Sequence, residues 1–354
     1  MEDKKTSGYT PGSSADVWFF ARIFVLAAGF AAALFALWQL AHLILLAFGA
    51  VLVAVLLKTL ADFIRSWTPL KQKGALALAV LIVGLLIAAF TYLLGAETRA
   101  QIGQLVDRFP ELIDKAEDAV GISGLQERLE DFARRNIEES SLVLRITNYS
   151  SLLANAAIDF FFLLMAGVYL AANPDLYRRG ILLLTARSIR REVAETLAAL
   201  FDALRLWLMG QLLSMLLVGM LTTAGLWMLD MPSMLALGLI AGLLEFIPVI
   251  GPVLSVIPAA TVALAESPVM VLWVIGLYVL VQQVEGTVIT PLVQEQMVQL
   301  PPAVTIFAII AFGLLFGPLG VLFATPLTVV TFVLIKKLWI RDMLHEDTDL
   351  PGEA

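Results

Sequence analysis

Residues 242–258 have the sequence GLLEFIPVIGPVLSVIP, an apolar stretch that contains one acid, Glu245, and three prolines. Proline breaks a helix because it lacks a backbone N–H and its ring clashes with the preceding turn. The apolar run around it, residues 233–264, has 32 residues. That is too long for one ordinary membrane span, while each half is shorter than the ~20 residues that a crossing helix needs. We therefore predict a broken, re-entrant helical hairpin, with two separate crossings as the alternative.

The whole chain has 354 residues, of which 60% are hydrophobic and 15% charged, and its mean hydropathy is +0.90. Soluble domains are about 45–50% apolar and about 25% charged. The composition therefore predicts an all-α polytopic membrane protein with about 7–8 transmembrane helices and excludes soluble enzymes, disordered chains and fibres. Cys is absent and there are only two histidines, which excludes disulfides and argues against a metal site, a cofactor or catalytic-triad chemistry.

Hydropathy and charge divide the chain into six parts. We expect a disordered tail (1–16), three transmembrane helices (17–94), an amphipathic helical extramembrane segment (95–150), a fourth transmembrane helix with a basic segment (151–205), a transport core with broken helices (206–337) and a C-terminal tail (338–354). Residues 17–57 are almost entirely apolar. A single helix of this length would be about twice as long as the hydrocarbon layer is thick, so we predict two helices that meet near Gln39 to His42.

The distribution of charge predicts the orientation of the chain. Residues 95–150 contain 11 acids and 7 bases, whereas basic residues dominate the segments around residues 58–73 and 173–205 and the cluster after residue 335. Because loops rich in Lys and Arg stay in the cytoplasm, we predict that both termini are cytoplasmic and that residues 95–150 lie outside.

Two acids in the transport core are candidates for a transport path. Residues 206–335 contain no Lys, Arg or His and only five acids, of which Glu245 and Glu285 lie in strongly apolar sequence. An acid at mid-membrane costs about 2.5–3.5 kcal/mol, so such groups usually face a cavity or carry an ion. The structural alternatives are a packing kink with a protonated Glu245 and a position of Glu285 in interfacial water. For Asp159, on the fourth span, a bond between helices is as good an explanation as function.

Two glutamines and a second helix break complete the set of candidate residues. Gln282 and Glu285 share one helix face, and Gln283 is turned about 100 degrees from Gln282. Such a stripe can bind a polar uncharged solute, or it can hold helices together. Residues 303–335 repeat the broken arrangement. The predicted break residues are Gly317, Pro318 and Gly320.

Other motifs are missing from the sequence. There is no G-x-x-x-x-G-K-[ST] phosphate loop and no H-E-x-x-H motif, which argues against an ATPase and a zinc protease, and we expect no enzymatic activity. The basic segment beside the fourth span contains four acids, so contact with lipid phosphate explains it better than nucleic-acid binding.

The motifs, taken in order along the chain, resemble the autoinducer-2 exporter (AI-2E) family of bacterial membrane permeases. The segments that carry the resemblance are WLMGQLLS (207–214), EFIPVIGP (245–252), QQVEGTVITPLV (282–293), FGLLFGPLG (312–320) and ATPL (324–327). Thr287 stands where the family commonly has Asn, and QEQMVQLPP (294–302) lacks the Gly and the His-Pro of the family pattern. These departures bear on the substrate more than on the fold.

The resemblance implies secondary transport in the bacterial inner membrane by a homo-oligomer, for which five subunits are one option. It assigns the transport path to two motifs. The residues that match them are Ile247, Pro248, Gly251 and Pro252 in the first and Gln283, Glu285, Gly286 and Pro291 in the second.

Three functional hypotheses follow. The first is export of a small polar solute such as the autoinducer-2 quorum-sensing signal. The second is sodium(cation)/proton antiport through Glu245 or Glu285. The third is a non-transporting membrane scaffold that binds a partner through residues 95–150.

Overall fold

The structure is a computed structural model that describes residues 14–89, 91–92, 157–291, 300–348 and 351. The predicted amphipathic segment 95–150 lies outside these ranges, as does most of the predicted N-terminal tail, whereas most of the predicted C-terminal tail is described and begins within a π-helical segment. The chain divides into two compact units at Leu45 and Leu46. The first unit contributes only helical residues 14–45 to the described part, and all other described residues belong to the second unit.

The described residues are helical, with no β-strand among them, which confirms the all-α fold class. The helices are α1 (Ser14–Trp67), α2 (Gln72–Ala89), α3 (Ala157–Ala172), α4 (Pro174–Leu184), α5 (Arg190–Met228), α6 (Met234–Leu244), α7 (Ile250–Glu266), α8 (Pro268–Val284), α9 (Pro302–Leu322) and α10 (Ala324–Leu334). Helix α8 continues as a π-helical turn, Glu285–Ile289, and α10 continues as a π-helical segment, Ile335–Met343.

The predicted turn near Gln39 to His42 is wrong, because α1 runs through this position as one helix. The prediction depended on length and on two polar side chains, and neither residue is a proline or glycine that would interrupt helical hydrogen bonds. Residues Gln39–Trp67 are long and apolar enough to span a membrane. The predicted tail also ends early, since α1 begins at Ser14.

Five helices of the described residues are long and apolar enough to cross a membrane, or six if the bent pair α3–α4 is one span. Helices α6 and α7 are apolar but shorter. This count agrees with a polytopic protein whose C-terminal half also contains shorter, broken elements. Four of the five overlap predicted continuous spans. Helix α5 begins well before residue 206, because the basic segment in front of the predicted span is helical too.

Glycines bring α5 and α6 into close contact. Gly238 and Gly242 are four residues apart on one face of α6, and both are buried. A Cβ atom on Gly242 would lie 2.6 Å from the carbonyl oxygen of Met215, and one on Gly219 would lie 3.2 Å from that of Gly238. Small residues at this spacing let membrane helices approach closely, which compensates for the missing hydrophobic driving force between helices in lipid.

Both predicted breaks are present. Helix α6 ends at Leu244, and α7 begins at Ile250 and packs against α6. The second break is at Gly317, whose φ of 67° and ψ of −150° are open only to glycine. After it the chain turns back, so that Gly320 packs on the carbonyl oxygen of Phe312. The two broken segments are therefore helical hairpins, as predicted.

Two buried clusters stabilise the unit. The first joins α1, α2 and α3 and consists of Leu57, Ala61, Ile64, Ala75, Ala79 and Ala171. The second joins α5 to α8 and consists of Leu226, Met231, Leu237, Ala241, Ala259, Ala263, Val274 and Tyr278. The second cluster packs α6 and α7 between α5 and α8, and thereby holds the first break in place.

Candidate functional site

Glu245 lies where α6 ends, and the protein buries it almost completely. Its exposed fraction is 3%. The four residues after it form the turn into α7, and the last of them, Val249, has a φ of 71°, which is rare for a β-branched residue. Phe246 packs edge to face on Trp207 of α5, with ring centroids 5.9 Å apart. The break is therefore a packed element of the protein and not a loose loop.

Gln211 of α5 satisfies part of the backbone at this break. Its Nε2 donates a hydrogen bond of 2.8 Å to the backbone carbonyl oxygen of Glu245. A carbonyl freed by a helix end at membrane depth needs such a donor, since lipid offers none. Gln211 is not among the predicted site residues. It is the only Gln among residues 206–229, and a lone amide in an apolar span is a signal that could have identified it.

Glu285 occupies a second irregular position, the start of the π-helical turn after α8. Its carboxyl group accepts a hydrogen bond of 2.9 Å from Nε2 of Gln282 and one of 3.3 Å from Oγ1 of Thr290. Single π-helical turns within α-helices occur frequently at functional sites. The contact with Gln282 confirms that this residue shares a face with Glu285, while Gln283 is exposed.

The fold places these two acids on elements that both pack against α5, the end of α6 and the π-helical turn. They are 40 residues apart in the chain, and the charge of Glu285 acts on the carboxyl group of Glu245. Oε2 of Glu245 is buried and has no hydrogen-bond partner among the described residues. We define the acidic pair as Glu245 and Glu285. Two glutamines and a threonine form hydrogen bonds with it, so the donors at the site are neutral, and no basic side chain bonds to either acid within the described residues.

The other predicted path residues take different positions. Gly251 and Pro252 are buried, and Gly251 packs against the carbonyl of Leu244, where a side chain would not fit. Pro248 is half-buried. Gly286 and Pro291, in contrast, are exposed beside the π-helical turn. The structure thus gathers the first motif around the acidic pair and leaves part of the second motif at the surface.

The second break, at Gly317 and Pro318, contains no ionisable side chain, because residues 302–335 have none. Among the described residues no group of three or more His, Cys, Asp or Glu side chains is placed to hold a metal ion. Asp159 is half-buried on α3 and takes part in an interaction.

The described part of the second unit also has a cavity of about 490 Å³ that is separate from the acidic pair. Residues of α1, α3, α4, α5 and α10 line it, and most of them are apolar. Its charged lining residues are Lys58, Asp175, Arg178 and Asp202.

A comparison with protein-family models matches residues 23–339 to the family described as AI-2E family transporter. The chain belongs to the AI-2E transporter family. The match covers both helical hairpins and the acidic pair, and it confirms the resemblance drawn from the motifs.

Individual AI-2E relatives are distant. A Bacillus subtilis (strain 168) protein named "Putative transport protein YueF" is 28% identical over 78% of this chain and 82% of its own length. YrrI of the same organism, with the same description, is 30% identical over 47% of each chain, so that match spans about half of that relative. The Escherichia coli (strain K12) protein named AI-2 transport protein TqsA is 24% identical over 81% of this chain and 84% of its own.

Proposed function

We propose that this permease is a secondary transporter that exports a small polar solute of the autoinducer-2 type along a path past the acidic pair. The observation that carries the proposal is that Glu245 and Glu285 each lie at an interruption of regular helix, on elements that both pack against α5, and that neutral amide and hydroxyl groups form hydrogen bonds with these two residues. Irregular backbone at membrane depth is tolerated where protein or a water-filled cavity surrounds it.

The chemistry of these groups suits an uncharged, hydroxyl-rich cargo. Carboxylate and amide oxygens accept hydrogen bonds from hydroxyl groups, and amide N–H groups donate to carbonyl oxygens. Residues 206–335 contain no base, so this segment itself offers no fixed positive charge to bind an anion. The name of the TqsA relative supports an autoinducer-2-type cargo, and its 24% identity leaves this as our proposal.

The test is transport in proteoliposomes. We expect Glu245→Gln to lower the export rate at least tenfold, a factor that corresponds to about 1.4 kcal/mol. Glu285→Gln should lower it less, because the amide can keep one of the two hydrogen bonds. Asp230→Asn is the matched control, since it removes one negative charge from an exposed position of the same region. Equal rates for Glu245→Gln and Asp230→Asn would contradict the proposed path.

A second candidate function, cation/proton antiport, is favoured by one specific observation. The buried Oε2 of Glu245 has no hydrogen-bond partner in the described residues and lies near a second carboxyl group. Two neighbouring carboxyl groups can exchange a proton for a monovalent cation. A sodium gradient that changes the internal pH of solute-free proteoliposomes, and no longer does so with Glu245→Gln, would favour antiport over simple export.

For the topology we propose a bacterial inner-membrane location with both termini in the cytoplasm. The chain has no Cys, so single introduced cysteines give a clean assay. In intact cells, an impermeant maleimide should label a cysteine at Glu117 and should reach one at Lys71 only after permeabilisation. The reverse pattern would invert the topology.

The family resemblance also leads us to propose a homo-oligomer, with five subunits as the first state to test. Mass determination of the protein in lipid nanodiscs measures the number of subunits, and a monomer would contradict the proposal.

A further inference from the structure

Helix α4 follows α3 directly, and the rest of the described protein covers it little. It has 11 residues, none of them buried, and its axis is bent 87° from that of α3. Three of its leucines are largely exposed: Leu176 by 66%, Leu183 by 74% and Leu184 by 91%. Where α3 crosses the bilayer, a bend of 87° turns α4 towards the plane of the membrane surface. The exposed leucines of α4 need an apolar environment there.

The side chains of α4 separate into two faces. At 100° per residue, the five large apolar residues other than Leu182 fall within an arc of about 160°, and the three charged residues fall within an arc of about 100° on the other side. The apolar arc contains Leu176, Tyr177, Ile181, Leu183 and Leu184, and the charged arc contains Asp175, Arg178 and Arg179. This pattern is typical of helices that lie in the plane of a membrane surface.

Positive charge continues beyond α4. Residues 174–191 contain five arginines and one acid, a net charge of +4. Two of the arginines have partners: Arg190 donates to the carbonyl oxygen of Thr185, and Arg191 pairs with Glu195 at 2.9 Å. Arg178, Arg179 and Arg187 are exposed and form no ion pair within the described residues. Their charge is therefore available to a ligand from outside the protein.

We propose that residues 174–191 bind anionic phospholipids, with the leucine face of α4 in the acyl region and the arginines at the phosphates. Lipid is favoured over a protein partner because α4 follows a membrane span directly and because both of its faces match the two layers of a leaflet. Each basic residue near an anionic surface strengthens such binding by about fivefold. The site does not involve the acidic pair, so it does not depend on the proposed cargo.

The first experiment measures the depth of the two faces of α4. Leu184→Cys and Arg179→Cys, each labelled with an environment-sensitive fluorophore, are reconstituted as full-length protein in vesicles of phosphatidylcholine and phosphatidylglycerol. We expect brominated lipid to quench the label at 184 and aqueous iodide to quench the label at 179. Quenching of both labels by iodide alone would overturn the proposal. It would show that the leucine face is exposed to water and is available to a soluble partner.

The second experiment measures the preference for anionic lipid. The ratio of phosphatidylglycerol to phosphatidylcholine that purified protein retains is read by native mass spectrometry. We expect the double variant Arg178→Gln/Arg179→Gln to reduce this ratio by about fivefold for each arginine. Lys71→Gln/Lys73→Gln is the matched control, because it removes the same charge from exposed positions outside an amphipathic helix. An unchanged ratio, or an equal reduction in the control, would overturn the proposal.

Discussion

Two groups of helices in the second unit differ in how regular their helices are. The amino-terminal group, formed by α2, α3 and the part of α1 after Leu45, uses uninterrupted helices around an alanine-rich cluster. The carboxy-terminal group, α5 to α10, contains two hairpin breaks and a π-helical turn. The acidic pair lies in the second group, at two of these interruptions. Two acids therefore coincide with irregular backbone in the carboxy-terminal group, whereas the second hairpin break has no ionisable side chain and the regular group carries Asp159 on α3.

One glycine from each group shows how different surroundings change the effect of a close contact. A Cβ atom on Gly49 of α1 would lie 2.6 Å from the tip of Leu163 and 2.7 Å from the ring of Phe323, and both are side chains that can move. A Cβ atom on Gly242 would also lie 2.6 Å from its nearest neighbour, but that neighbour is the backbone of Met215. The same distance thus has different consequences, because a helix backbone cannot rotate away.

The largest effect is expected where the backbones touch. Gly242→Ala should lower the free energy of unfolding by about 3 kcal/mol, since α5 and α6 must separate. Gly49→Ala should cost only about 1 kcal/mol, because its neighbours can adopt other rotamers. Unfolding by SDS in mixed micelles measures both values. Equal losses of unfolding free energy in the two variants would show that the two groups of helices are equally deformable at these contacts.

A smaller effect is expected at the second hairpin. Gly317 has no atom within 4 Å of the position of a Cβ, so space is not limiting, but its backbone conformation is closed to other residues. Gly317→Ala should therefore destabilise the protein by about 2 kcal/mol through backbone strain alone. Gly84→Ala in α2, which also has open space, is the control and should leave stability unchanged or raise it, because Ala favours helix. A stable Gly317→Ala would mean that the hairpin tolerates a different turn.

The sequence was sufficient for the carboxy-terminal group because its breaks are encoded locally. Proline and glycine interrupt helices, which is why the breaks near Pro248 and Gly317 could be predicted correctly. The continuous α1 was mispredicted for the opposite reason, since Gln39 and His42 mark polarity and not a break. Length alone cannot distinguish one long helix from two helices.

The candidate site was only partly accessible from the sequence. The shared face of Gln282 and Glu285 follows from helical spacing, so it was predicted. The approach of Glu245 to Glu285 and the bond from Gln211 depend on how α5, α6 and α8 pack, which no local pattern records. The two faces of α4 could also be predicted, because the helical spacing of its apolar and charged residues is visible in the sequence. The prediction for this segment used only its excess of arginine.

The smallest effect is expected at Gln211, whose side chain forms a hydrogen bond from the continuous α5 to the first break. Gln211→Met keeps the size of the side chain and removes the donor to the Glu245 carbonyl oxygen, which should lower the free energy of unfolding by about 1 kcal/mol. Gln72→Met, at the exposed start of α2, should leave it unchanged. SDS unfolding in mixed micelles compares the two variants. If both values equal that of the unmodified protein, the hydrogen bond does not stabilise the break, and the close glycine contacts between α5 and α6 must hold Glu245 in place by themselves.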